Sequence, residues 1–163
     1  MSHSLSAPFT SGRIFQINIS QGGVPKIAIQ QALVQELGVA GDMHAHPKVH
    51  GGIERAICLY PLELILALQS EGHPVFPGAL GENITLAGIN WADMQPQARF
   101  RLGQQVSIEI TRYATPCKTI SSYFLNGEMQ RISQDTHPGW ARVYARILQG
   151  GILTVSDCVI KLD

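Results

Sequence analysis

The stretch QQVSIEITR, residues 104–112, decides the fold class because its side chains alternate between apolar and polar along its length. Val106, Ile108 and Ile110 fall on one side of an extended chain, and the polar residues between them fall on the other. Successive side chains of a β-strand point to opposite faces of the sheet. The alternation therefore predicts a strand that is buried on one face only.

Outward from this strand, the chain consists mainly of short strand-like runs between glycine and proline turns. Pro61 is predicted to open a helix that stops at residues 71–74, since proline is tolerated at the first helical position. Residues 117–134 favour a helix over a strand. The mixture predicts a mainly β fold, a β-barrel with two or three helical insertions. The other predicted strands cover residues 13–19, 55–60, 84–86, 141–147 and 157–162, with a second and a third inside 24–37.

Composition limits the class of protein. The chain has 163 residues, no tandem repeat and no Ser/Gly linker, which predicts one domain over residues 1–163. Apolar residues make up 45% and charged residues 15%, so an acidic or basic disordered tail is excluded. Twelve Lys and Arg balance twelve Asp and Glu. We therefore expect neither a nucleic acid nor a membrane as partner, because both attract net positive charge.

The sequence also predicts a cytoplasmic protein. The most apolar stretch, residues 56–70, contains Pro61 and Glu63 and is shorter than the ~20 residues of a transmembrane helix. The first residues lack the basic start and apolar core of a signal peptide. Three cysteines are too few and too unevenly spaced for a disulfide framework, so free thiols are expected.

Two of the three cysteines are predicted to be structural. Cys58 lies inside an apolar run, and Cys158 shares a strand face with Ile160 and Leu162. Free cysteine is among the most often buried residue types. Both are therefore interpreted as small buried hydrophobic residues.

Cys117 has a different context. It follows Pro116, between the end of a predicted strand and the start of a predicted helix, with Arg112 and Lys118 close in sequence. A helix N-terminus and nearby cations favour the thiolate, which is the form that attacks or binds a metal. Cys117 is therefore a candidate reactive thiol, with a packed loop cysteine as the alternative.

Residues 44–50 contain three histidines, His44, His46 and His50. Imidazoles spaced two apart can share a metal ion, but no carboxylate or cysteine inside this segment completes a ligand set. We therefore expect a polar loop and no stable metal site. His50 would then hydrogen-bond near the glycine turn that follows it.

Two glycine-containing loops precede polar side chains. Gly51 and Gly52 come before Arg55, and residues 78–81 come before Glu82 and Asn83. Glycine lets backbone N–H groups approach an anion, and arginine can bind one with two hydrogen bonds. Turns at the corners of a barrel are the alternative interpretation of both loops.

Taken in order, six pieces of the chain form one pattern, which resembles the MOSC domain, named for the C-terminal region of molybdenum cofactor sulfurase. The likeness runs from about Arg13 to Leu162. The pieces are GVAGD (38–42), HGGIERA (50–56), PGALGEN (77–83), LG (102–103), TPC (115–117) and VYARILQGG (143–151).

The resemblance implies a β-barrel and, in some members, binding of the pyranopterin molybdenum cofactor. Relatives include the mitochondrial amidoxime-reducing proteins and small bacterial reductases of N-hydroxylated compounds. Cys117 matches the family cysteine, a metal ligand or sulfur acceptor. Arg55 and Asn83 match the arginine and amide of the other two motifs. The cofactor's phosphate would need basic side chains and backbone N–H groups, for which the candidates are Arg55, Arg112, Lys118, Gly51 and Gly52.

Two classes of function follow. In the first, the chain is a molybdenum enzyme that removes oxygen from a small N-hydroxylated or N-oxide substrate, with His50 as the candidate proton donor. An external electron-donor protein is then required, since no run of cysteines could hold an iron–sulfur cluster. In the second, Cys117 carries a persulfide, or the chain binds the cofactor without turnover; an inactive relative is the third alternative. A cysteine held after Pro116 at a strand end favours the reductase.

Overall fold

The structure is a computed structural model that describes residues 11–43 and 51–163. Eleven strands and one α-helix, α1 (Leu62–Ser70), account for most of its regular structure. Short 3-10 helices cover Ile53–Arg55, Trp91–Asp93, Lys118–Tyr123, Leu125–Gly127 and Met129–Ile132. The strands are β1 (Gly12–Ile19), β2 (Ile27–Ile29), β3 (Gln31–Gln35), β4 (Gly38–Val39), β5 (Ile57–Pro61), β6 (Ile84–Ala87), β7 (Arg99–Leu102), β8 (Val106–Tyr113), β9 (Val143–Gln149), β10 (Gly151–Thr154) and β11 (Cys158–Leu162).

Seven of the strands close into a barrel. Their order is β11-β7-β8-β9-β5-β6-β1, and β1 pairs back onto β11 with Gly12 opposite Val159. Strands β5 and β6 run parallel, while the other neighbours in the barrel are antiparallel. Strand β2 pairs with β1, and β10, β3 and β4 form a separate three-stranded sheet. The predicted mainly β barrel is confirmed.

The alternating stretch lies in β8 and behaves as predicted. Val106 and Ile108 are fully buried and Ile110 is nearly so, and all three belong to the main apolar core inside the barrel. On the neighbouring β7, Arg101 lies opposite Ser107 of β8, and Leu102 lies opposite Val106 of β8. Apolar residues of both strands therefore face inward together. Burial of this face, at roughly 25 cal/mol per Å² of apolar area, favours the barrel over other pairings.

Residues 117–134 cross one end of the barrel as a series of 3-10 turns rather than one regular helix. Asn126 has a left-handed φ of 54°, and Gly127 follows at 69°, so an α-helix is interrupted there. We call this segment the strap. It packs with α1 around a second apolar cluster that includes Tyr60, Leu68 and Ile120. The strap places Cys117 at its first residue.

The exposure of the cysteines differs in part from expectation. Cys58 is buried, as predicted, but Cys158 is exposed, so the prediction that it is buried is wrong. In β11 the inward position belongs to Val159, and Cys158 opposes the exposed Arg13 on the outer face of the barrel. A strand of a closed barrel has one buried face, and Cys158 lies on the other.

Within residues 11–43 and 51–163, no helix has both the length and the apolar character that a bilayer crossing requires.

Candidate functional site

A cleft of about 580 Å³, including the space at its open mouth, lies between the strap, the 78–83 loop and the ends of β5 and β9. Three residues predicted to be functional share it, namely Arg55, Asn83 and Cys117. The other described residues that line it are Gly23, Val24, Lys26, Met43, Cys58, Leu80, Gly81, Thr119, Ile120, Arg142 and Tyr144.

Cys117 lies at the edge of this cleft and is partly exposed. Its backbone is extended, and its Sγ lies 2.7 Å from the Thr119 hydroxyl, with either atom as donor. The helix that follows is a six-residue 3-10 helix. The dipole of a long α-helix, which the sequence suggested for this thiol, is therefore absent. Cys117 is a thiol that a ligand in the cleft can reach, beside a hydroxyl that can hydrogen-bond its sulfur.

A second thiol, Cys58, lies deeper in the same cleft. Burial raises the pKa of Cys58 to about 11, an effect that the charge of Arg142 opposes. Tyr144 is its neighbour across the β5–β9 pairing, and burial raises the pKa of that phenol to about 12. Both groups are therefore uncharged near neutral pH. Between the two thiols in the cleft, Cys117 is the accessible one.

Asn83 forms part of the wall of the cleft and is almost fully buried. Its Oδ1 accepts a hydrogen bond from the Cys58 backbone N–H at 3.0 Å. Its Nδ2 donates to Asp42 Oδ2 at 2.8 Å and to the Asn18 carbonyl at 3.3 Å. Since both amide hydrogens already have partners inside the protein, Asn83 ties the 78–83 loop to β1 and β5.

Glu82, next to Asn83, is fully buried behind the cleft. Its Oε1 accepts from the Gly78 N–H at 3.0 Å and its Oε2 from the Thr85 hydroxyl at 3.4 Å. Burial raises the pKa of Glu82 from its ordinary 4.5 to about 7. These bonds close the loop on itself. Gly78 is required there, because its φ is +92° and a Cβ would lie 2.3 Å from the Lys26 carbonyl oxygen.

Three cations and no carboxylate occur among the described residues that line the cleft. The buried Lys26 ammonium contacts the two Asp42 oxygens at 2.6 and 2.8 Å. The Arg55 guanidinium lies 5.7 Å from the centre of the Tyr144 ring. Arg142 is only 5% exposed. The cleft is therefore suited to a ligand that carries negative charge.

Four of the predicted binding residues do not line the cleft. Arg112 and Lys118 are exposed, and Lys118 points to solvent although it follows Cys117 directly. Gly51 and Gly52 stand outside the lining, and Gly52, with φ +102°, caps the short 3-10 helix that carries Arg55. His50, His44 and His46 lie outside the described residues, so the predictions about them stay predictions.

Lys26, Arg142 and Tyr144 also line the cleft, although the sequence did not predict them as site residues. In the predicted strand over residues 141–147, Arg142 and Tyr144 alternate with apolar residues, which is typical of an outer face. They are on that face, but it is covered at this end of the barrel, and they are 5% and 9% exposed. The length of the connection between β8 and β9 indicates that this face is covered. The 29 residues between Tyr113 and Val143 must pack over one face of the two paired strands.

A family model described as "MOSC domain" matches residues 46–160. The chain belongs to the MOSC domain family. The matched range takes in Arg55, the 78–83 loop, Cys117 and β9, the elements that form most of the cleft.

Curated relatives of this MOSC domain include Protein YiiM of Escherichia coli (strain K12), 29% identical over 135 residues. Uncharacterized protein YflK of Bacillus subtilis (strain 168) is 28% identical over 134 residues. The alignments cover 79% and 82% of this chain but only 59% of each relative, so the chain spans about three fifths of their length. A protein named "Reductase" from Gibberella moniliformis is 28% identical over 131 residues, which is 77% of this chain and 23% of that protein.

Solved structures show the same fold. YiiM from Geobacillus stearothermophilus superimposes with a TM-score of 0.72 at 21% identity, covering 93% of this chain and 75% of that chain. YiiM from Escherichia coli gives a TM-score of 0.68 at 21% identity, covering 93% and 70%. At this level of identity the likeness concerns the fold alone.

Proposed function

We propose that this MOSC domain binds the molybdenum cofactor in the cleft, with Cys117 as a ligand to the metal. In that role it acts as a reductase component that removes oxygen from small N-hydroxylated or N-oxide compounds. One observation carries the proposal: an accessible thiol and two arginines line the same cleft. Membership of the MOSC family and a distant relative named "Reductase" support the reductase class.

The residues present fit such a cofactor. A thiolate is a soft ligand, which suits molybdenum held by sulfur. The cofactor's phosphate would find Arg55 and Arg142 in the lining, and arginine binds phosphate with paired hydrogen bonds. Moreover, the Nε of Arg142 is buried without a hydrogen-bond partner among the described residues. Such an orphaned donor is costly unless a ligand or water supplies the missing acceptor.

The bound cofactor would supply the redox chemistry, and the chain's residues would supply position and charge. Cys117 would hold the metal at the edge of the cleft, where a small substrate can approach from the open mouth. Cys58, whose burial keeps it as a neutral thiol, would leave Cys117 as the accessible thiol of the cleft. Electrons would come from a separate donor protein. His50 remains the proposed proton donor to the leaving oxygen.

The alternative function is that of a persulfide carrier. The partial exposure of Cys117 is compatible with it. However, a carrier sulfur must meet both a donor and an acceptor protein, which is easiest on a protruding segment. Cys117 instead borders a concave cleft, on a segment where the Ala114 N–H donates to the Arg142 carbonyl and the Arg142 guanidinium donates to the Thr115 carbonyl. This placement favours the metal ligand.

Metal content tests the proposal. The protein would be produced in a host that makes the cofactor, as wild type, as Cys117→Ser and as Cys158→Ser. Cys158 is the matched control, because it is an exposed thiol that does not line the cleft. We expect about one molybdenum atom per chain in wild type and in Cys158→Ser, and a loss of about tenfold or more in Cys117→Ser.

Turnover completes this test. With reduced viologen as electron source, the loaded wild type should consume an amidoxime or an N-hydroxylated base. Metal-free wild type with a persulfide on Cys117, detected by mass spectrometry, would defeat the proposal and favour the carrier. Equal metal content in Cys117→Ser and wild type would defeat the role of Cys117 as ligand.

A further inference from the structure

Arg142 has an unusual environment for an arginine. It precedes β9, on the face opposite the barrel core, and is 5% exposed. The ion pairs of the described residues do not include it. The charge of Arg142 acts on the buried Glu82 and opposes the rise that burial causes in the Glu82 pKa, but no carboxylate among the described residues forms an ion pair with Arg142, and burying such a cation is expensive. The hydrogen bonds of Arg142 must therefore offset part of the cost of burying its charge.

Those hydrogen bonds join two loops at the cleft. Nη1 of Arg142 donates to the Leu80 carbonyl at 2.6 Å, in the 78–83 loop. Nη2 donates to the Thr115 carbonyl at 3.4 Å, two residues before Cys117. In addition, the Arg142 backbone carbonyl accepts from the Ala114 N–H at 2.8 Å. One residue thus bonds to both walls of the cleft.

The segment between Ala114 and Cys117 depends on these contacts. It leaves β8 and has no regular structure until the 3-10 helix begins at Lys118. Pro116 has no N–H and cannot donate a backbone hydrogen bond. Residue 142 therefore holds this segment twice, by its carbonyl at Ala114 and by its guanidinium at Thr115.

We propose that Arg142 is a positioning residue, which fixes Cys117 Sγ in the cleft by bridging the 78–83 loop to the 114–117 segment. The inference deepens the proposed function, since a metal ligand has to be held in place by the residues behind it. The bridge requires the planar fork of a guanidinium. A lysine keeps the charge but cannot donate to two separated carbonyls in the same geometry.

Thiol labelling of the metal-free protein tests the bridge without using the cofactor. A short pulse of alkylating reagent is applied at about pH 9.5, above the usual thiol pKa of about 8.5. The alkylation rates then depend mainly on how easily the reagent reaches each thiol. Mass spectrometry then gives the rates at Cys117 and Cys158 in the same molecule. Cys158 is exposed on β11 and serves as the internal reference. The variants are Arg142→Lys and Arg142→Met, with Val34→Ala as the control, a core residue of β3 that does not line the cleft.

We expect the ratio of the Cys117 rate to the Cys158 rate to rise about 5-fold in both Arg142 variants, the factor that corresponds to one lost hydrogen bond. Val34→Ala should lower Tm and leave the ratio at the wild-type value. An unchanged ratio in Arg142→Met would overturn the proposal. So would a wild-type ratio in Arg142→Lys, because charge alone would then explain the effect. If the ratio rises while wild type fails to bind molybdenum, the bridge stands and the proposed function falls.

Discussion

Two regions of the barrel each contain a largely buried carboxylate and at least one arginine. The two regions differ in the groups that hydrogen-bond to these charges. On the outer face, Glu109 of β8 lies between Arg99 of β7 and Arg146 of β9 in the strand registers. Arg99 Nε donates to Glu109 Oε2 at 2.7 Å, and Arg146 hydrogen-bonds Oε1 and also contacts Glu54. Each charge in this group faces an opposite charge. The hydrogen bond from Arg99 is the main cause that holds the pKa of Glu109 below its ordinary value.

At the cleft, the two buried groups Glu82 and Arg142 hydrogen-bond to neutral partners instead. Glu82 accepts from a backbone N–H and a hydroxyl, and Arg142 donates to two backbone carbonyls. Burial therefore raises the pKa of Glu82, the direction opposite to that of Glu109. The outer carboxylate is paired with two arginines, whereas Glu82 and Arg142 at the cleft have no ion-pair partner among the described residues. This is the arrangement that a charged ligand can use.

The largest effect in this comparison is expected at Glu82. Its folded pKa of about 7 exceeds its ordinary 4.5, so the neutral carboxyl stabilises the fold at low pH and this contribution is lost as pH rises. Relative to Glu82→Gln, wild type should lose at most about 3 kcal/mol in its free energy of unfolding between about pH 4.5 and about pH 7.5. Urea unfolding of both proteins at pH 4.5 and 7.5 measures this.

The contradictory outcome at Glu82 is a stability difference between wild type and Glu82→Gln that stays constant over this pH range. It would mean that the buried carboxylate is compensated by a charge, as Glu109 is. The contrast between the two regions would then fail.

A smaller effect of opposite sign is expected at Glu109. Its pKa is lowered in the folded state, so its contribution is present above the ordinary pKa and lost as pH falls through the folded one. Wild type should exceed Glu109→Gln in Tm by about 2 °C at pH 7, since its partners are partly exposed to solvent.

The advantage of wild type over Glu109→Gln should shrink at pH 3 and also in 0.5 M salt, because exposed ion pairs are screened. Thermal unfolding under the three conditions measures it. A difference that grows on acidification would contradict the assignment of Glu109 to a self-compensating group.

The sequence predicted the barrel because that part of the fold depends on local alternation. Residues 104–112 carry the period of a strand, and Val106, Ile108 and Ile110 are buried as expected. Arg55 and Asn83 each follow a glycine-containing turn, and both line the cleft together with Cys117.

The parts that could not be predicted depend on contacts between distant segments. Alternation places Arg142 on an outer face but does not show that this face is covered, since its partner Leu80 lies 62 positions away. Alternation also gave the wrong exposure for Cys158, because Ile160 and Leu162 on the same strand face are apolar and suggested that this face points inward. For Asn83, residue type alone does not show that its amide hydrogens bond inside the protein.

The most direct measurement of the central claim, that Cys117 binds the metal, is X-ray absorption at the molybdenum edge. It counts the sulfur atoms bound to the metal in loaded wild type, Cys117→Ser and Cys158→Ser. We expect Cys117→Ser, reconstituted with excess cofactor, to have about one sulfur ligand fewer than wild type. Cys158→Ser should match wild type. The same sulfur count in Cys117→Ser as in wild type would contradict the account.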